Sequence, residues 1–315
     1  MKMSPINRCN TEHWKEDVRK SVLFYNNWFL NFAPITYVNA RKQAIERVER
    51  AFNNSNFFNN ITEEMLMKSP ETVAILRMAT TPPLARDRLA GLANVPKQLI
   101  KKLEEGKSSG GKIVLADIVR IIVRLLDREM MPWLKSCETP TALDATVASA
   151  IIGDRVCGAL ADPIIRNEQE RRQIRSIEVF LLERGYRLVQ SKDYPNCTSM
   201  PPGTFAYHMN VPARVGRRRN VNVSVDVAIM CRNDKPGDMP LLVECKSAGD
   251  FTNVNKRRKE EAAKMEQLKK TYGNDVRYVL FLCGYFDSGY LGYEAADGID
   301  WVWEHRIDDL GKVCV

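Results

Sequence analysis

The chain has 315 residues, 44% hydrophobic and 27% charged, a balance that excludes a disordered polypeptide and suits one large domain or two ordinary ones. Its formal net charge of +8 favours an acidic partner, nucleic acid or an anionic surface. The start lacks an apolar signal core, and the longest apolar stretch, Ile113 to Leu126, is broken by Asp117, Arg120 and Arg124; the expectation is a cytoplasmic protein with no membrane span.

In chain order, the first half reads as helices. Trp14, Val18, Val22 and Tyr25 fall at helical spacing, as do Ala44, Ile45, Val48 and Phe52. Breaks are expected at Pro34, at Asn53 to Asn60, at Pro82-Pro83 and at the glycine-rich loop 106–111. Ile113 to Met131 reads as a helix closed by Pro132, and a further helix from about 141 ends before Pro163.

The texture then changes. Glu168 to Arg184 is an amphipathic helix stopped by Gly185, and Tyr186 to Gln190 reads as a strand. Val221, Val223, Val225 and Val227 alternate with Asn222, Ser224, Asp226 and Ala228, a strand pattern. Leu241 to Lys246 is a short strand, Asn255 to Tyr272 a charged helix, and Val276 to Cys283 a buried strand. Gly284 to Glu294 reads as a glycine- and tyrosine-rich loop, and Trp301, Trp303 and His305 as packing for the last segment. The expected fold class is α/β, a mixed central sheet flanked by helices, with a helical region over 1–162 and a sheet-containing core over 163–315; the residues below make the first a candidate DNA-binding region and the second a candidate nuclease core.

The chemistry concentrates in three residues. Asp226 is an acid inside an apolar strand, costly to bury unless it is paired or binds a metal. Glu244 and Lys246 lie at i and i+2 of the next strand and share a face. A hairpin brings these strands together. Two carboxylates and the Cys245 carbonyl then form a hard oxygen site suited to Mg²⁺, with Mn²⁺ substituting, while Lys246 orients or helps deprotonate a water. This is the D…(D/E)-x-K arrangement of PD-(D/E)XK nucleases, with Val225 where proline is usual. Glu170, on the face of Ile174, Ile177 and Leu181, is either a further acid of this site or a residue favoured by the helix dipole.

Basic residues flank that pattern. Arg214, Arg217, Arg218 and Arg219 precede the Asp226 strand, and Asn255-Lys256-Arg257-Arg258-Lys259 opens the helix after Lys246. Cations there oppose the helix dipole, and a polyanion compensates them. Residues 84–106 resemble a helix-turn-helix presenting Lys97, Gln98, Lys101 and Lys102; a two-helix hairpin without DNA is the other reading. Eight cysteines without a C-x-x-C pair read as free thiols, and His13, His208 and His305 as isolated polar or packing residues.

The run Glu244-Cys-Lys-Ser-Ala-Gly-Asp-Phe-Thr-Asn-Val-Asn-Lys-Arg-Arg-Lys-Glu-Glu-Ala-Ala-Lys264 resembles the XamI family of type II restriction endonucleases. So do Trp28 to Pro34, Thr81 to Ala93, Arg166 to Gln173 and Gly298 to Arg306. The resemblance implies a bacterial, Mg²⁺-dependent homodimer that cuts both strands of a short palindrome, with GTCGAC as its namesake's target, and a companion DNA methyltransferase. It maps the catalytic acids and lysine onto Asp226, Glu244 and Lys246. Two rivals stay open: a repair or recombination nuclease on the same core, and a DNA-binding regulator that uses only residues 84–106.

Overall fold

Apolar residues at helical spacing in one stretch and at alternating spacing in another build two compact units, Phe32–Ile165 and the union of Met1–Asn31 with Arg166–Val315. The computed structural model describes residues 5–107, 111–215, 219–252, 254–274 and 276–314, without the side chains at 215, 219, 220 and 255–257. The unit boundary at 165/166 falls three residues from the division at 162/163 drawn from texture. The first 31 residues, however, cluster with the sheet.

The helical unit is formed by α1 (Trp14–Asn54) from Phe32 onward, α2 (Glu63–Lys68), α3 (Thr72–Leu76), α4 (Arg86–Leu92), α5 (Lys97–Glu104), α6 (Lys112–Leu125), α7 (Trp133–Ser136) and α8 (Ala142–Glu183) up to Ile165. Its core takes Ala44, Val48 and Phe52 from α1, Leu115, Ile118 and Ile122 from α6, and Trp133. The expected breaks at Pro34 and Pro163 are corrected: both prolines lie inside continuous helices. A proline removes one hydrogen bond to the carbonyl four residues back. Those residues, Leu30 and Ala159, are exposed, so water can satisfy the freed carbonyls.

The second unit holds a mixed six-stranded sheet: β1 (Arg187–Leu188), β2 (Thr204–Val215), β3 (Arg219–Met230), β4 (Leu241–Ala248), β5 (Tyr278–Gly284) and β6 (Asp300–Trp303), in that spatial order. β2, β3 and β4 run antiparallel in succession, and β4, β5 and β6 run parallel. Helix α9 (Val254–Tyr272) supplies the crossover from β4 to β5, and α10 (Ser288–Ala296) that from β5 to β6. One sheet face packs Val254, Met265 and Leu268 of α9 with Tyr290 and Leu291 of α10. The other packs Ile177, Phe180 and Leu181 of α8 with Leu310 and Cys314 near the carboxy end. β2 and β6 carry no expectation from the sequence, and the glycine-tyrosine stretch is helical: Asp287 caps α10 by accepting the Tyr290 N–H at 2.7 Å.

Two long-range ties close this unit. Asp300, fully buried, accepts the backbone N–H groups of Ile6, Asn7, Arg8 and Trp301 at 2.6, 2.9, 3.1 and 2.8 Å. Cys231 and Cys314 are joined by a disulfide across a Cα–Cα distance of 5.0 Å, which corrects the free-thiol expectation for these two. Their separation of 83 residues left no local signal.

Glu294 of α10 is fully buried, and burial raises its carboxyl to about 7, with Glu261 adding to the rise. A carboxyl raised in the folded state favours folding at low pH and loses that contribution as pH climbs through about 7. Glu294→Gln is therefore expected to raise stability by roughly 2–4 kcal/mol at pH 8 and to change it little near pH 4.5. An equal shift in melting temperature at both pH values would contradict this.

Candidate metal centre

The β2–β3 hairpin changes phase at one point. Val223 and Val225 pack on the α9 side of the sheet, whereas Val227 and Ile229 pack on the α8 side. β2 does the same: Phe205 and Tyr207 face α8, and Met209, Val211 and Ala213 face α9. The change falls at Asp226 and, across the register from it, at His208, whose φ is +48°. The strict alternation expected through Asp226 is thus corrected, because a left-handed residue in one strand rolls the pair over. Asp226 is left half-buried between the two faces.

β3 and β4 pair antiparallel from Val227↔Val243 to Ile229↔Leu241, so Asp226 and Glu244 come next in the ladder. The Cys245 N–H donates to Asp226 Oδ2 at 2.7 Å and fixes that carboxylate. Glu244, 5% exposed, receives Lys246 Nζ at 2.9 Å and Lys264 Nζ at 2.5 Å on Oε1. Its Oε2 is buried with no hydrogen-bond partner among the described residues. Lys246 Nζ also lies 3.0 Å from Glu261 Oε1, and the Tyr278 hydroxyl donates to Glu261 Oε2 at 2.6 Å.

The electrostatics follow from that packing. Burial, helped by the nearby Glu244 charge, pushes the Asp226 carboxyl up to about 6, against the Cys245 N–H and Lys246, which lower it. For Lys246, burial acts to lower the pKa, but Glu261 and Glu244 outweigh it and hold the ammonium above its ordinary range. Lys246 is therefore a fixed cation, better suited to donating a hydrogen bond than to taking a proton from water.

Helix α8 supplies the other wall. Gln173, buried, donates its amide to the Lys246 carbonyl at 3.2 Å and the Phe281 carbonyl at 2.9 Å. One turn earlier, Glu170 lines a cavity of about 260 Å³ together with Arg166, Asp226, Glu244 and Lys246. Glu170, His208 and Asp226 each offer a ligand atom within 4.8 Å of the others. His208 reads in the sequence as an isolated polar or packing residue, and Gln173, Glu261 and Lys264 carry no expected role there. A charged Glu261 and Lys264 on the same helical face as Met265 and Leu268 was the signal available for the last two.

The basic residues divide. Arg214 is exposed on β2, its backbone N–H donating to Thr271 Oγ1 at 2.8 Å. Arg258 stacks on the Tyr293 ring at 3.8 Å, and Lys259 is exposed. Arg217 and Arg218, and the side chains of Arg219, Asn255, Lys256 and Arg257, lie outside the described residues. Lys97, Gln98 and Lys101 are exposed on α5 of the helical unit, which follows α4 through a turn with Asn94 at φ +53°. Lys97 pairs with Asp87 at 2.8 Å and Lys101 with Glu105 at 3.8 Å, exposed pairs that contribute little to stability. Among the described residues, no helix is long and apolar enough to cross a membrane.

Residues 56–303 match the family described as XamI restriction endonuclease. The chain is 46% identical to the type II restriction enzyme SalI of Streptomyces albus G over 312 residues, 97% of this chain and 98% of that protein. The solved structure of protein VC1899 from Vibrio cholerae aligns with 79% of this chain and 54% of its own at a TM-score of 0.26 and 13% identity, too weak a likeness to carry an argument.

Proposed function

This chain belongs to the XamI restriction endonuclease family, and we propose that it is a type II restriction endonuclease that hydrolyses both strands of duplex DNA at a short palindrome, with Mg²⁺ held by Asp226, Glu244 and the Cys245 carbonyl. The observation that carries the site is the convergence of Asp226, Glu244 and Lys246 from two adjacent strands into one cavity. The donors fit the ion: carboxylate oxygens suit a hard cation, and the buried Glu244 Oε2 has no partner among the described residues. When bound, Mg²⁺ supplies Lewis acidity and lowers the pKa of a coordinated water.

The chain's own residues do the rest. The Cys245 N–H aims the Asp226 carboxylate. Glu261 and Glu244 hold the Lys246 ammonium in the cavity, where it orients the attacking water and neutralises charge developing on the phosphate. Water adds to phosphorus as the bond to the 3′ oxygen breaks, leaving a 5′-phosphate and a 3′-hydroxyl. Arg214, Arg258 and Lys259, with the flanking basic residues outside the described set, contact the DNA backbone. The α4–α5 hairpin, with Lys97, Gln98 and Lys101, grips DNA within the helical region.

A palindromic target is matched by a two-fold protein, so the active species is a homodimer, and a companion methyltransferase protects host DNA. Purified protein incubated with unmethylated plasmid is expected to give discrete fragments with Mg²⁺ or Mn²⁺ and none with EDTA. A plasmid carrying GTCGAC tests that target directly. Absence of cutting with every divalent metal would remove the enzymatic reading, and branch-dependent or exonucleolytic products would favour a repair nuclease.

A further inference from the structure

We infer that Glu170, His208 and Asp226 form a second cation position with an imidazole ligand, one that takes a borderline metal such as Mn²⁺ or Co²⁺ ahead of Mg²⁺. The inference rests on the reading of Asp226 as a metal ligand and extends it to a residue that the D…E-x-K pattern does not contain.

Three observations carry it. The ligand atoms of Glu170, His208 and Asp226 lie within 4.8 Å of one another, close enough to surround one ion. They come from separate elements, α8, β2 and β3, so neither local helix geometry nor a single loop explains their meeting. His208 stands across the register from Asp226 at the point where both strands change face, with φ +48° in the middle of a twelve-residue strand. That conformation is uncommon for a non-glycine residue, histidine entering it more readily than most, and such residues cluster at ligand sites. Third, Glu244, 5% exposed, lines the cavity that Glu170 and Asp226 also line, and its Oε2 has no partner among the described residues. An unpaired buried carboxylate oxygen lining that cavity marks it as one that accepts positive charge.

The donor set decides the metal. Mg²⁺ prefers oxygen and dehydrates reluctantly, whereas imidazole suits later first-row ions. Asp226 belongs to both positions: Glu244 and the Cys245 carbonyl complete an all-oxygen one, and Glu170 and His208 complete a mixed nitrogen–oxygen one. The two positions therefore differ in which ions they favour.

The test is pulsed EPR of the full-length protein loaded with Mn²⁺, which reads nitrogen coupling to the ion independently of activity. Wild type is expected to show two bound Mn²⁺ per chain, one with ¹⁴N coupling. His208→Asn keeps a residue that tolerates positive φ; it should abolish that coupling and weaken one Mn²⁺ by at least ~10-fold, the scale lost even when a ligand's outer partner is removed. Glu170→Gln, at an exposed helix position, should weaken the same ion while leaving its coupling. Absence of ¹⁴N coupling in wild type, or coupling that persists in His208→Asn, overturns the inference. Plasmid cutting with Mg²⁺ is scored on the same preparations. Cutting without nitrogen coupling overturns this inference alone; nitrogen coupling lost in His208→Asn without wild-type cutting supports the metal position and removes the nuclease reading.

Discussion

Lys246→Ala is expected to lower the rate of DNA cutting by about 10²–10³-fold, the usual loss when a preorganised charge is removed from a reacting centre. DNA binding measured in Ca²⁺ should be unchanged, because the exposed arginines and lysines proposed to meet the backbone lie elsewhere. The substitution has a second consequence. Lys246 neutralises Glu244 and the fully buried Glu261, whose other oxygen is held by the Tyr278 hydroxyl. Removing one member of a buried pair costs about 3–5 kcal/mol, so the single variant should also melt earlier. Adding Glu261→Gln to Lys246→Ala removes the stranded charge, and this double variant should recover stability without recovering cutting. If stability and cutting returned together, Lys246 would be a structural cation only. Undiminished cutting by stable Lys246→Ala would remove the lysine from the mechanism.

Asp300→Ala is expected to destabilise the sheet unit by about 3–5 kcal/mol. Its carboxylate collects four backbone N–H groups, three of them from Ile6 to Arg8. Each buried donor left without an acceptor costs about 1–3 kcal/mol, partly relieved if the terminal segment moves into water. Asn7 extends the same tie, its side-chain amide donating to the Trp301 carbonyl at 2.8 Å, and Arg306 bridges Asp17 and Asp309 at 2.6 Å each. Loss of Asp300 should thus free the amino-terminal segment to early proteolysis as well as lower the denaturant midpoint. Asp300→Asn, which keeps one acceptor oxygen, should lose less than Asp300→Ala. A loss below ~1 kcal/mol in Asp300→Ala would show that the terminal segment is held by Ile6 packing instead.

Periodic patterns made much of the architecture legible. Valine alternation from 221 to 227 marked β3, the apolar run from 278 to 283 marked β5, and the charged segment between 255 and 272 marked α9. Two classes of feature were illegible. The helices pass through Pro34 and Pro163 with the carbonyls four residues back on exposed residues, and exposure is decided by packing. β2, with a proline and two basic residues among its twelve, and β6, only four residues long, lack a clear period of their own and exist because neighbouring strands give their backbone groups partners.

The same division runs through the site. A spacing of two on a strand puts Glu244 and Lys246 on one face with no other outcome, and the long run from Glu244 to Lys264 marked the family. What surrounds them was set by the packing of distant segments. Glu261 and Lys264 reach the pair because α9 packs on that sheet face, Gln173 because α8 packs on the other, and His208 because the hairpin register sets it across from Asp226. Local spacing is fixed by covalent geometry and can be counted along the chain. Which side chains meet from segments 15 to more than 70 residues apart depends on burial and register, free energies that belong to the assembled sheet rather than to any one stretch of it.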